Sequence, residues 1–204
     1  METLIILGNG FDLDLGWKTS YKDFFQAKQN KFYQLSELSY IQNMIEDEHW
    51  YNLEGYLRQC IVQVKPNDIK NLNTFWLICS NFMLDYFTHN ASKFKTNFQS
   101  CAYHFMKSIR NSVVYTFNYT NPFKEVGIEE PEIHFIHGKL NGALNGSLLK
   151  LGVDTGVIKE NKLSNVSSLQ PLLKAYSNSE KDNFVDKLKT SDIIIIYGHS
   201  LSIT

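Results

Sequence analysis

Short apolar, β-rich runs that each end in a polar or glycine-bearing segment constrain this chain more than any other feature. Thr3–Leu7 runs into Gly8-Asn9-Gly10-Phe11-Asp12, residues 113–117 into Asn118-Tyr119-Thr120, residues 133–136 into His137-Gly138, and Ile193–Tyr197 into Gly198-His199-Ser200. Strands of a parallel sheet covered on both faces read as continuous apolar runs. In an open parallel sheet, ligands bind in the crevice outside the carboxyl ends of the strands. The pattern therefore predicts an α/β fold in which distant polar segments converge on one pocket, read here as a nucleotide site.

Between the first two runs, strand signals are weak and helical periodicity dominates. Ser20-Tyr21-Lys22-Asp23 has the residues of a capping box. Leu72, Phe75, Trp76, Cys79, Met83, Tyr86 and Phe87 keep the i, i+3, i+4, i+7 rhythm of an amphipathic helix. Phe94, Phe98, Cys101, Ala102, Phe105 and Ile109 repeat it. A sheet whose second strand waits until residue 113 carries a helical insertion, placed at about residues 20–110 of a single domain spanning residues 1–204.

Beyond the second strand, Pro122 and Pro131 bracket a short connection suited to a right-handed crossover. Residues 148–153 suggest a further strand, residues 169–176 a short apolar helix and residues 180–189 another helix. Ile193–Tyr197 reads as a strand buried on both faces. No covering helix follows it, so either another chain covers that surface, with a homo-oligomer as the expectation, or the polypeptide is shortened relative to its relatives.

Bulk properties narrow the function classes. A net charge of −1 supplies no field toward nucleic acid or an anionic membrane. Residues 91–110 hold Lys93, Lys95, Lys107 and Arg110 without an acid, a pattern usual for a solvated helix face. Cys60, Cys79 and Cys101 are odd in number and form no CxxC pair, so they are expected to pack as small apolar residues. The first apolar run is too short for a signal peptide and no later run reaches membrane-spanning length, so the expected location is cytoplasmic.

At the strand ends, Gly8 and Gly10 permit close backbone approach and phosphate cradling by main-chain amides, or simply a tight turn. Leu13 stands where a dinucleotide fingerprint has its third glycine. Asp12 can hold a sugar hydroxyl or cap the next turn. The Asn118 carboxamide can donate and accept in the crevice, or cap the following segment. His137, with Gly138 leaving space beside the imidazole, suits a general base. His134 is expected on the opposite face, in a structural role. Backbone and hydroxyl at Gly198-His199-Ser200 can bind phosphate or ribose. The segment lacks the second glycine of a serine-hydrolase elbow, and the histidines show no metal-type pairing, so no metal is expected.

Taken in order, Gly8-Asn9-Gly10-Phe11-Asp12, Thr19-Ser20-Tyr21-Lys22-Asp23-Phe24, Trp50 with Asn52-Leu53-Glu54, Phe117-Asn118-Tyr119-Thr120, Ile136-His137-Gly138, Leu151-Gly152-Val153-Asp154 and Gly198-His199-Ser200-Leu201 resemble the bacteriophage abortive infection AbiH family. More remotely, the strand-end segments are similar to the sirtuin-type, Rossmann-like NAD-binding fold. That resemblance implies NAD as substrate or ligand, with Asn118 positioning the nicotinamide ribose or the attacking water and His137 acting as base. Gly8, Asn9, Gly10, Gly198 and Ser200 would hold the dinucleotide. Asp12 and His199 join them as candidate binding residues from their own places at the strand ends, with a catalytic or a capping role as the alternatives for His199. No zinc-binding cysteine quartet is present, so protein deacetylation is not implied. The expected function is phage defence by hydrolysis of NAD or a related ADP-ribose nucleotide. A small-molecule nucleotide and a phage-derived trigger are the expected partners, and the alternatives are a non-catalytic nucleotide sensor in such a system or a nuclease or RNA-binding toxin.

Overall fold

A computed structural model describes residues 2–138, 152–153, 166–173 and 178–199. In chain order the elements are β1 (Thr3–Leu7), α1 (Asn9–Asp14), α2 (Tyr21–Gln34), α3 (Ser39–Glu46), α4 (Leu53–Gln63) and α5 (Ile69–Asn90). There follow α6 (Cys101–Ser108), β2 (Val113–Thr116), α7 (Pro122–Val126), β3 (Glu132–Phe135), α8 (Asn178–Thr190) and β4 (Ile193–Tyr197). The chain divides into two compact units, one of Met1–Thr19, Phe87–Leu149 and Tyr176–Thr204, the other of Ser20–Tyr86 and Lys150–Ala175.

The first unit is built on a parallel sheet in the order β3-β2-β1-β4. Ile5 pairs with Val114 on one side and Ile195 on the other, so β1 is an interior strand, as is β2. The chain steps outward from β1 to β2 and β3, then returns to place β4 on the far side of β1. The strand order thus reverses between β1 and β4, the topological switch point where such sheets open a crevice. This is the α/β, Rossmann-like architecture expected from the strand pattern.

Side-chain alternation sends successive residues of each strand to opposite faces. Ile5, Leu7 and Val114 join Phe11, Ala102 and Met106 in one core cluster, whereas Leu4, Ile6 and Tyr115 meet Phe184 and Leu188 of α8 on the other face. Ile5 and Val114 are wholly buried. Each such aliphatic side chain contributes about 1.5–3 kcal/mol relative to exposure.

The second unit is helical. Ser20 caps α2 by accepting from the Asp23 amide at 3.1 Å while the Asp23 carboxylate accepts from the Ser20 amide at 3.2 Å. Phe25 of α2 stacks on Trp50 with ring centroids 5.0 Å apart. Along α5, Leu72, Phe75, Trp76, Cys79 and Met83 are buried, as their spacing required.

Several expectations are corrected. β4 is not buried on both faces: Ile193 to Ile196 are each 36–42% exposed. Among the described strands, β4 lies at the edge of the sheet with only β1 beside it, and apolarity alone does not report that position. The helix expected across residues 94–109 is confined to Cys101–Ser108, opened by Ser100 accepting from the Tyr103 amide at 3.1 Å. Before it, the Asn97 amide donates to the Leu15 carbonyl at 2.7 Å, holding that segment against the α1 end, and Phe98 is left 59% exposed. Cys60 and Cys79 are buried but Cys101 is exposed, so only two of the cysteines pack as apolar residues. Residues 148–151 lie outside the described residues, and Val153 forms an isolated parallel bridge with Leu173. Val166–Leu172, with Pro171 inside it, is a 3-10 helix that overlaps the start of the short apolar helix expected at residues 169–176, of which residues 174–176 lie outside the described residues. Among the described residues, no helix is long and apolar enough to cross a membrane.

Candidate functional site

The carboxyl ends of β1 and β4 meet through backbone. Gly8 N–H donates to the Tyr197 carbonyl at 2.9 Å, and Gly10 N–H to the Gly198 carbonyl at 2.8 Å. A Cβ on Gly8 would lie 2.5 Å from His199 Cα, and one on Gly10 would lie 2.8 Å from Gly198 Cα. Gly198 itself has φ +66°, and a Cβ there would fall 2.2 Å from the Phe11 nitrogen. The glycines are therefore required by the approach of two main chains at the switch point. The amides of Gly8 and Gly10 are engaged with protein carbonyls in this conformation, and neither is open to cradle a phosphate. Asn9 is exposed, and its Oδ1 accepts from the buried Thr19 hydroxyl at 2.6 Å.

Beside this turn lies a buried polar triad. Asp12 is 1% exposed, Thr120 2% and Asn118 6%. Asn118 Nδ2 donates to the Gly8 carbonyl at 3.0 Å and to Asp12 Oδ1 at 2.9 Å, while the Thr120 hydroxyl donates to Asp12 Oδ2. The Asn118 amide also donates to the Thr116 hydroxyl at 3.1 Å. A main-chain carbonyl only accepts, so the carboxamide must turn its nitrogen toward Gly8, which fixes the assignment of its two ends. Both Nδ2 hydrogens are thereby used, and Oδ1 accepts no bond among the described residues. Burial pushes the Asp12 carboxyl up to about 7, partly offset by the hydrogen bonds from Thr120 and Asn118. Asp12 thus neither caps the next turn with its side chain nor presents an oxygen to a sugar directly. Its carboxylate oxygens are taken by Asn118 and Thr120.

The histidines gather elsewhere, around Phe117. The Phe117 ring centroid is 5.2 Å from that of His137 and 4.5 Å from that of His199. His137 also lies against Tyr119 at 6.0 Å, and Tyr119 against Phe87 at 5.9 Å. Phe117 packs with the α8-side cluster, whereas Asn118 turns to Gly8 and Asp12. The contacts of the expected base and the expected carboxamide therefore fall to either side of one peptide unit. His134 pairs with Glu132 at 3.0 Å and stacks on Tyr115 at 4.6 Å. It thus meets the same aromatic cluster as His137 and not the opposite face, because β3 ends at Phe135 and strand alternation does not carry through to residue 137. Gly198 and His199 sit at the switch point, while Ser200 lies outside the described residues.

Thr120 and Thr19 lie within motifs the sequence displays, but the sequence pattern assigned neither of them a role. Their local signal is a hydroxyl near a strand end or turn, since Asp12, the partner of Thr120, lies 108 residues away. Among the described residues, no cluster of histidine, cysteine, aspartate or glutamate could hold a metal ion.

Comparison with curated proteins and with solved structures finds no match. The family model described as bacteriophage abortive infection AbiH matches residues 4–204, and so spans both the sheet with its polar triad and the helical unit. The chain belongs to the bacteriophage abortive infection AbiH family.

Proposed function

We propose that this chain serves phage abortive infection as an enzyme that binds NAD or a related ADP-ribose nucleotide at the strand ends and hydrolyses its N-glycosidic bond. The observation that supports it most is the Asn118 carboxamide. It is clamped through Nδ2 by Gly8 and Asp12, with Oδ1 left to accept from a ribose hydroxyl or a water. In this reading His137 accepts the proton of the attacking water as its oxygen bonds the anomeric carbon. Nicotinamide departs with the electron pair of the broken C–N bond. Asn118 orients the water or the ribose, and the transition state is oxocarbenium-like. Asn9, Gly198, His199 and Ser200 contribute contacts around the nucleotide, with Gly8, Gly10 and Asp12 shaping the site behind them.

The direct test is nicotinamide release from NAD by the purified protein. Asn118→Ala and His137→Ala are each expected to lower it by at least about a hundredfold. Full activity in both variants would refute the assignment.

A second reading, a nucleotide sensor without turnover, is favoured by the engagement of the Gly8 and Gly10 amides with the end of β4. A ligand that displaced those carbonyls would move β4 against α1, a switch that needs no chemistry. Tight ADP-ribose binding without nicotinamide release would select it.

A further inference from the structure

We propose that Asp12 is the positioning residue of this site: in the ligand-bound protein its buried carboxyl group is neutral, carries its proton on Oδ2 against Thr120 and holds the Asn118 carboxamide through Oδ1, so that nucleotide binding takes up a proton. The inference rests on the nucleotide reading for its ligand and on the triad for its geometry.

Thr120 can donate or accept, so the triad keeps its hydrogen bonds whether the acid is neutral or ionised. Only the charge differs, and among the described residues nothing balances it. The influences on the Asp12 carboxyl are burial, Thr120 and Asn118, with no cation among them. On its own helix, Asp14 is turned away, accepting from the Ala102 amide and the Tyr197 hydroxyl. On α6, Cys101, His104 and Lys107 are exposed, and on α7 so are Lys124 and Glu125. β1 has no titratable side chain. From the ends of β3 and β4, His137 and His199 face Phe117. A diphosphate nucleotide adds negative charge at the strand ends and excludes water, and both effects disfavour a carboxylate behind Asn118. By linkage, if binding raises the proton affinity of Asp12, deprotonating Asp12 weakens binding by the same factor.

The test is calorimetry of ADP-ribose binding to the whole chain at about pH 7.5, in buffers of different ionisation heat, with Asp12→Asn in parallel. Wild-type protein is expected to show a buffer-dependent heat that reports proton uptake. Its affinity is expected to fall up to about tenfold per pH unit above the Asp12 titration. Asp12→Asn, which can offer the same acceptor to Asn118 and a donor to Thr120, is expected to keep binding while losing both the proton uptake and this pH dependence. Buffer-independent heat in the wild type, or loss of binding in Asp12→Asn alone, overturns the inference and leaves the nucleotide reading standing. If ADP-ribose binds wild-type protein at no pH, the nucleotide reading and the proton linkage fail together. The positioning role is then decided by NMR of the ligand-free protein. An Asn118 side-chain amide resonance that shifts with the Asp12 carboxyl titration supports it, and a static one overturns it.

Discussion

Replacing Asp12 by asparagine removes an ionisable proton from the centre of the sheet unit while keeping the size and hydrogen-bonding pattern of the neutral acid. Burial raises the carboxyl from 3.8 to about 7 in the folded chain. Between those values the folded state holds a proton that the unfolded state has released. Stability conferred by this group therefore falls as pH rises through the window and levels off above it. The full difference of about three units corresponds to roughly 4 kcal/mol, of which about 2–3 kcal/mol develops between pH 5 and pH 8. Asparagine has no such proton, so the stability of Asp12→Asn relative to wild type is expected to climb by about that amount over the same range. Other titrating groups cancel in the difference. Urea unfolding of both proteins at matched pH values measures it. A difference that stays flat from pH 5 to pH 8 would show that Asp12 is ionised in the folded chain, and the argument from burial would fail.

Gly198 and Gly127 offer a controlled pair, since their φ angles are +66° and +72° but only Gly198 has backbone in the way. Gly127→Ala should cost about 1–2 kcal/mol, and Gly198→Ala roughly 3 kcal/mol or more. Equal losses in thermal melts would mean that the close approach at the switch point is dispensable. Asn118→Asp sets a carboxylate against two acceptors, the Gly8 carbonyl and Asp12. It should destabilise by about 2–4 kcal/mol at neutral pH and recover as the pH is lowered, whereas a loss that does not vary with pH would argue against the clamp. The exposed isoleucines of β4 carry the expectation of a homo-oligomer, so light scattering should find an assembly that Ile194→Lys disrupts. A wild-type monomer would remove that expectation. For the RNA-toxin alternative, binding should weaken steeply with salt, and no binding at low salt dismisses it.

What the sequence disclosed was local. β-branched runs stopped by glycine, asparagine or histidine marked every strand of the described sheet, and the Ser20–Asp23 capping box marked the start of α2. The rhythm from Leu72 to Met83 marked the buried stripe of α5. What stayed hidden depended on partners far along the chain. The isoleucines of β4 look the same in sequence at a sheet edge as at its centre. The burial of Asp12 depends on Asn118 and Thr120, and a carboxylate in a turn gives no local sign of such partners. Phe98 keeps helical spacing, yet the chain before Ser100 is committed to Leu15 instead.

The contact between Gly198 and the Gly8–Gly10 turn joins the ends of β1 and β4, the first and last of the described strands. During synthesis, the turn at Gly8 leaves the ribosome long before its partner does. The switch point cannot close until β4 and Gly198 have emerged, whatever the helical unit has done by then. A nascent chain that has not yet delivered β4 lacks the backbone contacts that hold the Gly8–Gly10 turn, so the candidate site is assembled only once Gly198 has emerged.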